Sequence, residues 1–171
     1  MLIKYFLFAA IISGCTYLGV LLGERYKKRI IQLVSFQNAL DILKFNILFL
    51  NQPLSEAMKK VSQSHDGVVE KIFSEMSGEL THSTTAAEVW RMIMEKYKRD
   101  LFLTDEEINV LLDFSERLGI SGRDDQIDNI DAAITRLQAF EVDARKEGEK
   151  NIKMYRGLGV LSGILIVILF I

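Results

Sequence analysis

The residues best suited to chemistry in this sequence are few and widely spaced. There is one cysteine, Cys15, and there are two histidines, His65 and His82. They cannot form a cysteine–histidine zinc cluster, and both histidines stand in polar, loop-like contexts. The sequence contains neither a GxxxxGK[ST] phosphate loop nor a GxSxG nucleophile elbow. We therefore predict a protein that is not an enzyme and that needs no metal or cofactor.

The densest polar segment runs from Gly119 to Asp131 and contains four aspartates. Asp124, Asp128 and Asp131 would share one face of a helix, and Asp125 would lie beside it. These acids could complement the positive end of a helix and keep its face solvated, form a protein contact surface, or bind a hard cation. The loop spacing of a calcium site is absent, which disfavours the third interpretation.

The elements that must position these residues are predicted to be helices. The chain has 171 residues and one proline, and its net charge of −2 gives no indication of nucleic-acid binding. Leu, Ile, Glu and Lys are frequent, and strictly alternating strand patterns are absent. The predicted fold class is all-α, an approximately six-helix bundle with long first and last helices that continue into terminal transmembrane segments.

Two segments repeat apolar residues at steps of three and four, residues 33–50 and residues 127–140. We predict that they belong to the long first and last helices and that these helices pair antiparallel, so that both apolar stripes are buried. Start signals for the other helices, and a cap for the last one, are predicted at Pro53, which would open its helix, and at Asp66, Thr85, Thr104 and Ser121.

Both ends of the chain are apolar. Residues 5–22 contain no charge, and roughly 20 apolar residues cross a bilayer core of about 30 Å. Residues 157–171 are also uncharged but form a shorter segment. We predict an N-terminal transmembrane helix over 1–23, a cytosolic helical bundle over 24–155 and a C-terminal transmembrane helix over 156–171. Basic residues on the inner flanks give this orientation and should contact anionic headgroups: Arg25, Lys27, Lys28, Arg29, Lys150, Lys153 and Arg156.

Each predicted span contains two glycines four positions apart. They are Gly19 with Gly23 and Gly159 with Gly163. Because small residues let helix backbones approach closely in lipid, we predict helix packing at these positions.

The N-terminal segment has an alternative interpretation. Lys4, a short apolar run and the residues Ile12–Cys15 resemble a bacterial lipoprotein cleavage box. Cleavage there would lipidate Cys15 and leave a helical interaction domain on the exterior of the cell. The apolar run continues past Cys15 to Leu22, and the basic cluster follows it, which favours a membrane span.

Four segments of the sequence carry a family resemblance. They are Arg25–Arg29, Pro53–Ala57, Leu118–Gln126 and Lys153–Leu161. Together they resemble the stage III sporulation protein AB family of endospore-forming bacteria, and the resemblance covers nearly the whole chain. Gly122 departs from the usual form of the third segment, which has Asp at that position.

The resemblance implies a function in assembly rather than catalysis. The family is similar, in its cytosolic helical domain, to the inner-membrane platform protein of type II secretion and type IV pilus systems. It implies a scaffold of the channel between mother cell and forespore, in the mother-cell membrane surrounding the forespore and required for endospore development. The expected partners are a secretion-type ATPase and other channel subunits, and a homo-oligomer is compatible with it. The candidate partner-contact residues are Gly119, Ser121, Arg123, Asp124, Asp125, Gln126 and Asp128.

Overall fold

The computed structural model describes the backbone of residues 2–50, 52–80, 85–118 and 123–169, with their side chains apart from residues 2–5, 7, 9, 123 and 124. These residues form helices and no strands, which confirms the all-α prediction with long first and last helices. The helices are α1 (Leu2–Phe49), α2 (Leu54–Gln63), α3 (Gly67–Glu79), α4 (Ala86–Tyr97), α5 (Asp105–Glu116) and α6 (Arg123–Leu169).

The chain divides into two compact units. The terminal unit comprises Met1–Ile30 and Asp143–Ile171, and the central unit comprises Ile31–Val142. The central unit therefore contains the short helices together with one part of α1 and one part of α6. The predicted membrane boundaries at residues 23 and 156 differ from the boundaries of these units and stay predictions.

An aromatic cluster forms the centre of the central unit. The ring centroid of Trp90 in α4 lies 5.4 Å from that of Phe73 in α3 and 5.8 Å from that of Phe114 in α5, both edge-on. All three side chains are almost completely buried. Edge-to-face pairs of this kind contribute about 0.5–1.5 kcal/mol beyond the burial of their area. The cluster therefore holds three of the short helices around one point.

The apolar stripe of α1 is buried in this unit, as predicted. Leu33, Phe36, Leu40 and Leu43 have no exposed surface. The stripe ends one turn earlier than the sequence pattern indicates, because Leu50 follows the last helical residue and is 51% exposed. In α6 the same pattern buries Ile130, Ile134 and Leu137.

Polar side chains fix the alignment of α1 and α6 within the central unit. The Gln37 Nε2 donates to Glu141 Oε2 at 3.0 Å, and the Lys44 Nζ donates to both carboxylate oxygens of Asp131 at 2.6 Å. Residue numbers rise along one helix as they fall along the other, so the helices run antiparallel here. This confirms the predicted pairing for the central unit.

Helix starts follow the sequence signals with two corrections. Thr104 and Glu107 form a complete capping box at α5, and the Thr85 Oγ1 accepts from the Glu88 N–H at α4. Asp66 occupies the N-cap of α3 as predicted, but its side chain makes no capping hydrogen bond. Pro53 was predicted as the first helical residue and instead precedes it; its carbonyl oxygen accepts from the Ala57 N–H at 3.0 Å. The predicted cap at Ser121 lies outside the described residues.

Candidate functional site

An open groove separates the end of α5 from the start of α6 in the central unit. Asn129 on α6 lines it, and its Nδ2 donates to the Phe114 carbonyl oxygen at 2.8 Å. That carbonyl belongs to the last turn of α5, where intrahelical donors are lacking, so the bond satisfies a helix-end acceptor. We call it the α5–α6 groove, and the residues that line it include Phe114, Arg117, Asp125, Asp128, Asn129 and Ala132.

Charged side chains surround the groove. Asp113 and Arg136 approach to 3.7 Å across it, and both are more than 60% exposed. Exposed pairs of this kind contribute about 0–1 kcal/mol, so rearranging them for a partner has little energetic cost. Asp125 and Asp128 are exposed on the α6 side of the groove. The groove therefore offers an exposed acidic edge at the start of the last helix.

The structure places the predicted contact residues unequally. Asp125 and Asp128 lie together at the groove, and Gln126 beside them is half-buried. Their contact role stays a prediction. Gly119 and Ser121 lie outside the described residues, as do the side chains of Arg123 and Asp124.

Other polar residues from the sequence analysis have structural surroundings. Asp131 belongs to the ion pair with Lys44 and so is not part of the exposed acidic edge. The His65 Nδ1 lies 2.9 Å from the Val61 carbonyl oxygen at the end of α2. Among the described residues, no group of three His, Cys, Asp or Glu side chains is arranged to hold a metal. His82 lies outside the described residues.

Two contacts of the central unit have no clear sequence signal. The Gln32 Nε2 donates to the Asp100 carbonyl oxygen at 3.0 Å, and the Phe102 N–H donates to the Gln32 Oε1 at 2.7 Å. One amide side chain thus satisfies two backbone groups in the connection between α4 and α5. Such a long-range pairing has no local spacing by which it could be found.

A carboxylate on α3 binds the end of α4. The Lys96 Nζ donates to both Glu75 carboxylate oxygens at 2.7 and 2.9 Å, and the Tyr97 hydroxyl donates to Oε1 at 2.6 Å. The hydrogen bond from Lys96, and then that from Tyr97, lower the pKa of Glu75 below its ordinary value. This site is structural, since its three groups already satisfy one another.

The predicted glycine positions lie between α1 and α6 in the terminal unit. A Cβ atom on Gly19 would lie 2.5 Å from the Tyr155 carbonyl oxygen, and one on Gly159 would lie 2.7 Å from the Cys15 carbonyl oxygen. Both distances are too short for a real side chain, so only glycine fits without a shift of backbone. Gly163 is similarly tight against Ile12, and Gly23 is in ordinary contact with Ile152.

These contacts give the register of the two helices in the terminal unit. Ile12 faces Gly163, and Gly19 faces Tyr155. A Cβ atom added to Gly148 would lie 3.3 Å from the Cδ1 methyl of Ile30. The helices are therefore antiparallel here, and we call them the terminal helix pair. Gly148, which the sequence analysis did not single out, is also part of this packing.

The outward faces of the terminal helix pair are apolar. In α6, Leu158, Leu161, Leu165 and Ile168 each expose more than half of their surface. Among the described residues, α6 is the one helix long and apolar enough to cross a membrane, and most of that stretch is not covered by protein. This feature supports membrane association of the chain.

The predicted basic residues lie next to the apolar segments, after that of α1 and before that of α6. Arg29 pairs with Glu147 at 2.7 Å and joins the two helices of the terminal unit. Beside it the rings of Tyr26 and Tyr155 lie 6.1 Å apart. The remaining predicted members are exposed: Arg25, Lys27, Lys28, Lys150, Lys153 and Arg156.

Known proteins similar to this chain agree on one family. The family model of stage III sporulation protein AB matches residues 4–171. Stage III sporulation protein AB of Bacillus subtilis (strain 168) is 32% identical over 160 residues, which cover 93% of this chain and 94% of that protein. A solved structure of stage III sporulation protein AB superposes with a TM-score of 0.66 at 31% identity, covering 71% of this chain and 96% of that one. The chain therefore belongs to the stage III sporulation protein AB family, and this membership supports a role in sporulation.

Proposed function

We propose that the protein is a non-enzymatic membrane platform of the channel between mother cell and forespore. Its two ends cross the mother-cell membrane around the forespore as transmembrane helices over 1–23 and 156–171. The helical domain over 24–155 lies in the cytosol, where it docks a secretion-type ATPase and other channel subunits. The protein is then required for endospore development because it joins those subunits to the membrane.

The observation that carries this proposal is the apolar, exposed end of α6. From Gly157 to Leu169 the helix has no charge, and its outward leucines expose more than half of their surface. A continuous apolar surface of this kind is typical of a site that lipid or another protein covers. The basic residues that precede it favour a cytosolic position for the central domain.

The α5–α6 groove supports the docking part of the proposal. Asp125 and Asp128 present exposed carboxylates beside Asn129 and Ala132. Polar, solvent-accessible side chains of this kind form the rim of many protein interfaces. A partner that presents basic side chains would complement the acidic edge.

Co-purification from sporulating cells tests the docking surface. The double variant Arg123→Ala with Asp124→Ala should recover about tenfold less of the secretion-type ATPase, since losing a central contact of ~1.4 kcal/mol has that effect. The double variant Lys98→Ala with Glu95→Ala removes the same two charge types from the exposed end of α4 and should leave recovery unchanged.

Two outcomes decide this test. Wild-type recovery of the ATPase from both double variants, at unchanged far-UV helicity, removes residues 119–128 as its docking surface. Absence of the ATPase and of all other channel subunits from the wild-type sample contradicts the platform proposal as a whole. Tagged and untagged copies are also expressed in the same cells. Recovery of the untagged copy with the tagged one would show that a homo-oligomer forms.

The lipoprotein alternative would place the helical domain outside the cell. We favour the uncleaved form, because Ile12 packs against Gly163 and a cut before Cys15 would remove that contact. The mass of the intact protein, purified from membranes, distinguishes the two. A diacylated chain that begins at Cys15 would overturn the proposed topology.

A further inference from the structure

Arg156 lies at an unexpected level of the terminal helix pair. Its neighbour Tyr155 contacts Gly19, so Arg156 stands beside a part of α1 that carries no charge. The first charged residue of α1 beyond that point is Glu24. Glu24 lies five positions after Gly19, which at 1.5 Å per residue is about 7.5 Å along the helix. Arg156 therefore lies about 7.5 Å inside the apolar zone defined by α1.

The segment of α1 at this level has no acidic side chain. The sequence has no Asp or Glu from residue 1 to 23 and none from 150 to 171. Glu147, toward the central unit, is already paired with Arg29 at 2.7 Å. Arg156 and the preceding basic residue Lys153 are both exposed. The helix pair therefore offers Arg156 no counter-charge at its own level.

The direction of the side chain points to the source of that charge. Side chains of an α-helix lean toward its N-terminus, and α6 enters the membrane with its N-terminal part on the cytosolic side. Arg156 therefore leans back toward the cytosolic headgroups, as long basic side chains do near the ends of membrane helices. A guanidinium group binds phosphate through two parallel hydrogen bonds, which suits a phospholipid headgroup.

We propose that Arg156, together with Lys153, binds the phosphate of an anionic phospholipid and draws it below the ordinary headgroup level. The cytosolic leaflet then thins around the terminal helix pair, which matches the short apolar segment of α6. Two basic side chains favour a headgroup with net negative charge over a zwitterionic one. This inference rests on the topology given as the proposed function.

Lipid selectivity of the full chain tests the inference. The protein is reconstituted in phosphatidylcholine vesicles with spin-labelled phosphatidylglycerol or spin-labelled phosphatidylcholine, and the motionally restricted fraction of each lipid is measured. The wild type should prefer phosphatidylglycerol, and Arg156→Gln should reduce that preference about fivefold, the factor expected for one lost basic contact with an anionic leaflet. Arg156→Lys should retain part of it, since the charge remains but the bidentate geometry is lost.

The matched control is Arg99→Gln, which removes one exposed positive charge from the central unit. It should leave the lipid preference unchanged. A full preference in Arg156→Gln, or an equal loss in Arg99→Gln, overturns the inference. Extraction of membranes at alkaline pH separates the two failures: release of the wild type contradicts the proposed topology, whereas retention with unaltered lipid preference in Arg156→Gln contradicts the lipid site alone.

Discussion

Replacing Gly19 by alanine should separate the terminal helix pair. The new Cβ atom would lie 2.5 Å from the Tyr155 carbonyl oxygen, whereas ordinary van der Waals contact begins at 3.4 Å. The backbones must therefore move apart by the difference, about 0.9 Å, and packing on either side of the contact is lost. Overpacking of this kind costs about 1–3 kcal/mol.

A matched control separates packing from helix propensity. Gly14 lies in the same helix, and a Cβ atom there would have no neighbour within 4 Å. Alanine favours a helix over glycine by up to about 1 kcal/mol at either position, so that contribution cancels in the comparison. We expect Gly14→Ala to be neutral or stabilising and Gly19→Ala to be less stable than it by about 1–3 kcal/mol.

The native cysteine provides the assay. Cys15 is the single cysteine of the chain, it is half-buried, and its carbonyl oxygen faces Gly159. The rate of maleimide labelling of the full chain, measured in maltoside micelles with increasing dodecyl sulfate, reports the opening of the helix pair. Gly19→Ala should be labelled at a lower mole fraction of dodecyl sulfate than Gly14→Ala. Coincident labelling curves for the two variants would refute the register of the helix pair.

Three further predictions follow from other contacts. Gly163→Cys should form an intramolecular disulfide with Cys15 on mild oxidation, because its Cβ atom would lie 3.4 Å from that of Cys15, near the spacing of natural disulfides. The new Cβ atom would also lie 2.9 Å from the Ile12 Cα atom, so the backbone must shift slightly to admit the cysteine. Gln32→Ala should lower the free energy of unfolding in urea by about 1–3 kcal/mol, because two backbone groups lose their partner. Glu75→Gln should lower the urea midpoint at pH 7. Because Lys96 holds the pKa of Glu75 below its ordinary 4.5, the wild-type advantage is present above that pH and is lost as the pH falls through the lower, folded-state pKa.

Each of these predictions has its own control. Gly157→Cys places a thiol where a Cβ atom has no neighbour within 4 Å, so it should stay reduced; a disulfide there would show that cross-linking does not report the register. Asn38→Ala changes an exposed position of α1 and should leave the urea midpoint unchanged. A pH-independent difference between wild type and Glu75→Gln would show that the carboxylate charge does not carry the effect.

Local signals in the sequence predicted most of the helical framework. The stripe from Leu33 to Leu43 and the capping box at Thr104 depend on neighbours within one or two turns, so spacing alone locates them. Gln32 is different, because its partners lie in a connection far along the chain. Residue type also does not determine whether an N-cap side chain forms its hydrogen bond, since Asp66 occupies the N-cap position without one.

The candidate sites show the same division. Small residues at a spacing of four marked Gly19 and Gly159 as packing positions before any partner was known. That Gly19 faces Tyr155 depends on the register between distant helices, which periodicity does not contain. The acidic segment likewise predicted exposed carboxylates at Asp125 and Asp128, but spacing could not show that Asp131 pairs with Lys44 instead.

The aromatic cluster also makes the protein its own optical probe. Trp90 is the single tryptophan, it is fully buried, and its indole nitrogen has no hydrogen-bond partner among the described residues. Its emission should therefore be blue-shifted in the folded protein and should move to longer wavelength when the central unit unfolds. Cys15 lies in the terminal unit, so thiol labelling and tryptophan emission report the two units separately, without any introduced residue. Comparing their denaturation curves would show whether the two units lose structure in one cooperative transition or in two.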